Sequence, residues 1–128
     1  MKPSEIIMET YSAYVLSKKS RAKILSTFPP KFPEVRAHHI TVKFGLSKED
    51  RIPRQAKIEV VGYAADDSLE AVVVSVNGRE HRSDGGIYHI TLSHTADRKS
   101  SQSNNVIAQG WEPVSELFNI DAVGEILK

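Results

Sequence analysis

The chain has 128 residues, enough for one domain with a single core, and its net charge at pH 7 is +1. It contains no cysteine, which excludes disulfide frameworks, thiolate zinc sites and cysteine nucleophiles. Residues 1–57 hold twelve Lys and Arg against five Asp and Glu (+7), and residues 58–128 hold five against eleven (−6). We expect the first part to offer a basic surface to an anionic ligand; the alternative is that its charges are scattered over the solvent-exposed surface. The net charge of the whole chain is too close to zero for a bulk DNA-binding protein.

The sequence shows no targeting signal or membrane span. Its first nine residues mix charges into a short apolar run without the long apolar core of a signal peptide, and no later run approaches membrane-spanning length. We therefore expect one cytoplasmic domain, residues 1–128, with no membrane association and no obligate protein partner.

Elements of the first third are predicted from apolar patterning and proline. Residues 12–16 are short, apolar and aromatic, which is typical of a strand. A helix follows, capped by Ser17 or Ser20 and ended by Pro29-Pro30, because proline removes a donor and disfavours a helical residue before it. Residues 31–36 are expected to form a loop. The predicted apolar stripe of the helix is Ala22, Leu25 and Phe28, with Ile24 beside them.

Two similar segments predict half-buried strands with a histidine on the polar face: residues 37–44 (AHHITVKF) and 87–93 (IYHITLS). Because side chains alternate along a strand, the apolar ones share the inner face: Ile40, Val42, Phe44, Ile90 and Leu92. The outer face then carries His39, Thr41, Lys43, His89, Thr91 and Ser93. Each histidine has a hydroxyl two positions on, with room for a phosphate oxygen between them. Gly45 is expected to close the first of these strands.

The middle of the chain predicts further strands. A charged connection, residues 48–54, precedes strands at 56–63 and 69–76, the second buried on both faces. Asn77-Gly78 predicts a two-residue hairpin turn into a short strand at 79–82, and Asp84-Gly85-Gly86 predicts the next turn.

After the second histidine strand the chain turns polar. Residues 95–102 form a loop that either closes over a ligand or is mobile. Ser103 is expected to cap a short helix through Ala108, which Gly110 ends. Residues 111–114 predict a turn anchored by Trp111, and residues 120–127 a final strand.

Two histidines at one site can divide acid–base work. The unperturbed pKa of histidine, about 6.5, allows a neutral ring to accept a proton and a charged ring to donate one near neutral pH. The threonine hydroxyls and Lys43 would hold the phosphoryl oxygens. This scheme needs no metal or other cofactor, and no Asp or Glu lies at ligand spacing beside either motif. The alternative is that His39 and His89 are ordinary solvent-facing strand residues.

At residues 39–42 (HITV) and 89–92 (HITL) the chain resembles the 2H phosphoesterase superfamily, named for two His-x-Thr/Ser-x motifs with apolar x. Its members include bacterial 2′-5′ RNA ligase-like proteins, cyclic nucleotide phosphodiesterases and the cyclic phosphodiesterase domain of fungal tRNA ligases, to which residues 88–94 have a local likeness. The resemblance implies a bilobal, pseudo-twofold α+β fold, with two antiparallel sheets around a central cleft and few helices. The fifty-residue spacing of the motifs is short for the superfamily and implies a trimmed second lobe.

By matching position, the resemblance makes His39 and His89 the acid and base, and Thr41 and Thr91 the phosphate binders. The expected activity is metal-independent hydrolysis of a cyclic phosphate in a 2′,3′-cyclic nucleotide, an RNA terminus or a cyclic oligonucleotide. A non-catalytic RNA- or nucleotide-binding domain is the alternative. Further candidates for substrate binding are Lys43, Arg36, Ser93, His94 and Tyr88. His38 is expected on the core side by alternation, and His81 on the surface.

Overall fold

The computed structural model describes residues 6–47 and 49–127, which form an α+β structure of two antiparallel sheets with two α-helices. Lys48, the first residue of the predicted charged connection, and residues 1–5 lie outside this description. Neither of the described helices has the length and apolar character needed to cross a bilayer. The class and the pair of antiparallel sheets agree with the prediction from sequence.

The smaller sheet has three strands with β1 (Ile6–Leu16) at its centre, between β3 (His39–Ser47) and β8 (Ala122–Leu127). The strand predicted at residues 12–16 is confirmed and begins earlier. Gly45 lies inside β3 with φ +76°, so the prediction that it closes the strand is wrong. Pairing with β1 continues to Ser47, because one residue of left-handed backbone does not end the ladder.

The larger sheet has five strands. Their order is β2 (Glu34–Val35), β6 (His89–His94), β5 (Leu69–Val76), β4 (Ile58–Ala65) and β7 (Glu112–Ile120). All eight residues of β5 are buried, as predicted, because its two faces pack on different clusters. The main cluster, which includes Val72, lies between the two sheets, and a smaller one around Val73 lies under the second helix.

The segment predicted as a turn at residues 111–114 instead begins β7. Pro113 is compatible with a strand here because β7 lies at the edge of its sheet. Trp111 does anchor the segment by lying across Gly62 of β4, where an added Cβ would stand 2.1 Å from the indole. The predicted final strand is interrupted at Asp121, between β7 and β8.

Helix α1 (Lys18–Thr27) begins at the Ser17 cap, whose hydroxyl accepts a hydrogen bond from the Ser20 amide at 3.1 Å. The predicted apolar stripe is partly wrong, since Ala22 is exposed while Ser20 and Ile24 are buried. Helix α2 (Ser103–Ala108) lies where predicted, but Gln102 occupies its cap position.

The predicted turn at Asn77-Gly78 is confirmed, with φ of +51° and +81°. The short strand expected at residues 79–82 is absent from this described part of the chain, which makes isolated bridges instead. A second turn follows at once, in which the Asp84 carboxylate accepts a hydrogen bond from the Gly86 amide at 2.9 Å. This double turn carries Arg82 toward β6.

Candidate active site

The two histidine strands meet because the segment before β3 pairs with β6. The amides of Arg36 and Ala37 donate to the carbonyls of Leu92 and Thr91 at 2.7 and 2.8 Å. Ala37 then adopts a left-handed backbone, φ +53°, which redirects the chain toward the other sheet. There the Leu16 amide donates to the His38 carbonyl at 3.0 Å, and β3 starts one residue later beside β6.

A cavity of about 780 Å³ lies where these strands meet, and both motifs line it through His39, Thr41, His89 and Thr91. This volume is within the usual range for small-molecule sites. The other lining residues are Tyr11, Arg21, Val35, Arg36, His38, Phe44, Arg82, Ser100, Ser101 and Asn104. Among the described lining residues there are three arginines and no Asp or Glu, so the cavity suits an anion.

Both motif histidines use Nδ1 in a bond to the protein. Nδ1 of His89 lies 2.8 Å from the Ile87 carbonyl oxygen, and Nδ1 of His39 lies 3.0 Å from Nδ1 of His38. A carbonyl only accepts, so His89 Nδ1 carries a proton and Nε2 of the neutral ring is left with a lone pair. No described polar side-chain atom is both buried and unpaired. The unpaired Nε2 atoms of His39 and His89 are therefore accessible.

Burial shifts the protonation of both rings. Desolvation, followed by repulsion from His38 and His89, lowers the pKa of His39 to about 4. Desolvation also lowers the pKa of His89; the bond to the Ile87 carbonyl opposes this shift, and the Arg82 charge adds to it. Both rings are thus neutral at pH 7.

The two threonines differ in what they contact. Thr91 Oγ1 lies 2.7 Å from the hydroxyl of Ser103, at the start of α2, and 3.3 Å from the Ser100 carbonyl oxygen. If Ser103 donates to Thr91, the Thr91 proton is held only by the long bond and is available to a ligand. The Thr41 hydroxyl has no bond to the described residues and is accessible.

Each motif strand carries an irregularity at the same place, just after the threonine. In β3 the register against β1 skips Val42, and in β6 the register against β5 skips Leu92. Such a bulge reverses the alternation of faces beyond it. This is why neither Lys43 nor Ser93 lines the cavity, contrary to the prediction. The repeat of the irregularity is not visible in the alternating sequence pattern.

The displaced residues have partners elsewhere. The Lys43 ammonium pairs with the Asp50 carboxylate at 2.8 Å. Ser93 is fully buried and donates to the carboxylate of Glu70 at 2.5 Å. Glu70 also accepts from the Tyr63 hydroxyl at 2.6 Å, beside a second cavity between α1 and β7 that contains no histidine among its described lining residues.

Of the other predicted substrate-binding residues, only Arg36 reaches the cavity. His94 is 2 % exposed and is bonded at both nitrogens: Nδ1 donates to the Thr95 carbonyl at 2.7 Å, and Nε2 accepts from Arg36 Nε at 3.2 Å. His94 therefore positions the Arg36 side chain without lining the cavity itself. Tyr88 packs against the main core.

Several lining residues were not anticipated. Phe44, predicted to point inward, is 62 % exposed because it follows the bulge in β3, and its ring stacks on Tyr11 with centroids 6.0 Å apart. His38, predicted on the core side, is exposed because alternation begins only after the left-handed Ala37. Arg82 lies in a turn, and no periodic pattern in the sequence indicates that this turn lies beside the cavity. The basic residues near the motifs were the only feature of the sequence that suggested a role for it.

No family model, curated protein or solved structure matched this chain. Among the described residues, no group of three or more His, Cys, Asp or Glu side chains is arranged to hold a metal ion.

Proposed function

We propose that the protein is a metal-independent phosphodiesterase that opens a cyclic phosphate, with the two histidines as general acid and base in a bilobal, 2H-like fold. The observation that carries the proposal is the shared cavity, in which both imidazoles have Nδ1 bonded to the protein and Nε2 accessible. The equivalent bulges after Thr41 and Thr91 support a pseudo-twofold relation between the two motif strands.

The roles follow from the environments of the rings. His39, whose pKa is about 4, is neutral and serves as the base; it removes a proton from water as the water oxygen bonds to phosphorus. His89 donates a proton from Nε2 to the ribose oxygen as its bond to phosphorus breaks, because the Ile87 carbonyl favours the charged ring. The phosphate itself offsets the Arg82 charge that opposes this protonation. Loss of a proton from His39 to solvent and uptake of a proton from solvent by His89 complete the cycle.

Arginines and aromatic rings fit the rest of such a substrate. Arg82 is only 12 % exposed in its side chain and uses Nε on Asp84, which leaves its terminal nitrogens for a phosphate oxygen. The exposed Phe44 ring, backed by Tyr11, offers a surface on which a base can stack. The substrate class is therefore a 2′,3′-cyclic nucleotide, a cyclic phosphate at an RNA end, or a cyclic oligonucleotide.

The test is turnover of 2′,3′-cyclic nucleotides, RNA ending in a cyclic phosphate, and 2′-5′ and 3′-5′ cyclic oligonucleotides, all in EDTA. His39→Ala and His89→Ala should each lower kcat/KM by about 10²- to 10⁴-fold. His81→Ala is the matched control, because His81 is exposed and outside the cavity. Loss of activity in EDTA, or full activity in both motif variants, would refute the proposal.

The same arginines and rings also favour a binding module without chemistry. In that case a nucleotide binds with an affinity that falls as salt rises, and no product forms after long incubation. Turnover by the unmodified protein that both motif substitutions abolish decides for the enzyme.

A further inference from the structure

Of the described hydrogen-bond partners of the two motif histidines, the Ile87 carbonyl and His38, only His38 can itself gain or lose a proton. Its Nδ1 lies 3.0 Å from Nδ1 of His39, with the ring planes at 79° and the centroids 5.2 Å apart. One of these two nitrogens must carry the proton and the other must accept it. The backbone fixes the pair, since the His38 carbonyl accepts from Leu16 while the preceding Ala37 bonds to β6.

We propose that His38 is a positioning residue that controls which ring nitrogen of His39 is free to act on the phosphate. This inference rests on the proposed function. When His38 is neutral with an unprotonated Nδ1, it accepts the Nδ1 proton of His39, and Nε2 of His39 presents its lone pair to the cavity. His39 is then a competent base.

Protonation of His38 reverses this arrangement. A charged His38 has a proton on both nitrogens and must donate through Nδ1, so the neutral His39 must carry its proton on Nε2. It then has no lone pair for the substrate.

Tyr11 from β1, Arg21 from α1, Arg36 before β3, Arg82 and His89 line the cavity with the two rings. The described lining residues include no carboxylate that could replace His38 as the acceptor of the His39 Nδ1 proton.

Two substitutions distinguish the hydrogen bond that His38 accepts from the volume that its side chain fills. His38→Ala removes the acceptor, whereas His38→Asn places an amide oxygen near the position of Nδ1 and cannot titrate. We expect His38→Ala to lower kcat by about 10- to 100-fold with KM unchanged, part of what a general base contributes. His38→Asn should restore most of kcat. Wild-type kcat in His38→Ala would overturn the proposal.

A second readout needs no substrate. Nitrogen-15 NMR of the imidazoles reports which nitrogen of His39 carries the proton. We expect the Nδ1–H form in the wild type and in His38→Asn, and a shift toward the Nε2–H form in His38→Ala, with His89 unchanged as the internal control. An unchanged His39 tautomer refutes the role of His38. A wild-type protein that turns over no cyclic phosphate refutes the function instead, so the two failures are distinguishable.

Discussion

The two motif histidines differ in the hydrogen-bond partner of their Nδ1 atoms. A carbonyl oxygen holds His89, and it stabilises the charged ring because it can only accept a hydrogen bond. A second imidazole holds His39, and the charges of the two rings oppose each other. Two chemically identical side chains in one cavity thus acquire different tendencies to hold a proton, as a general acid and a general base require.

These tendencies predict an acidic optimum for kcat/KM. The base His39 must be neutral, so activity rises with pH through its pKa of about 4. The acid His89 must be charged, and because burial lowers its pKa from the ordinary value of about 6.5, activity falls again before that pH. The profile is therefore bell-shaped, with its acid limb near pH 4 and its alkaline limb below the ordinary titration range of histidine. A flat profile from pH 4 to 8 would contradict this assignment.

Arg82 belongs to the same scale, because it lies in the cavity and opposes protonation of His89. Arg82→Gln should raise KM by about 10-fold or more, the value of one charge-assisted bond. It should also move the alkaline limb of kcat/KM to higher pH, since a nearby positive charge is removed. Arg79→Gln, an exposed arginine in the preceding turn, is the control. If both variants behave alike, Arg82 does not contact the phosphate.

At the scale of elements, the sequence predicted the strands and helices that carry strong local signals. The Ser17 cap, the Asn77-Gly78 turn and the buried run of β5 are confirmed. The bulges were not predictable, because an extra residue in a ladder depends on the neighbouring strand and leaves the alternating pattern intact. Lys43 and Ser93 were therefore assigned to the wrong side, while the residues before each bulge were assigned to the right one.

Helix α1 offers a test of a predicted local feature. Ser17→Ala removes the side-chain acceptor for the Ser20 amide and should lower the free energy of unfolding by about 1 kcal/mol, measured in urea. Ser17→Asp should retain most of the stability, since aspartate also caps. Ser26→Ala is the matched control, because the Ser26 hydroxyl lies at the exposed surface of the same helix. Equal losses at both serines would argue against a capping role.

At the scale of the whole molecule, the site depends on a connection between the two sheets. Residues 34–37 pair with β6, and residue 38 bonds to the end of β1. Local patterns located both motifs but could not reveal this convergence, since it arises from pairing between distant segments through a short strand and a left-handed alanine. Arg82 was missed for the same reason: its place beside the cavity depends on a double turn between two strands.

The most direct test of the central claim, that His39 and His89 act on one phosphate, is a double-mutant cycle on hydrolysis of a 2′,3′-cyclic nucleotide. Each alanine variant should lose about 10²- to 10⁴-fold in kcat/KM. Because residues that act in one step are not additive, the double variant should lose far less than the product of the two single losses. Losses that multiply as for independent sites, or a single variant with full activity, would contradict the claim.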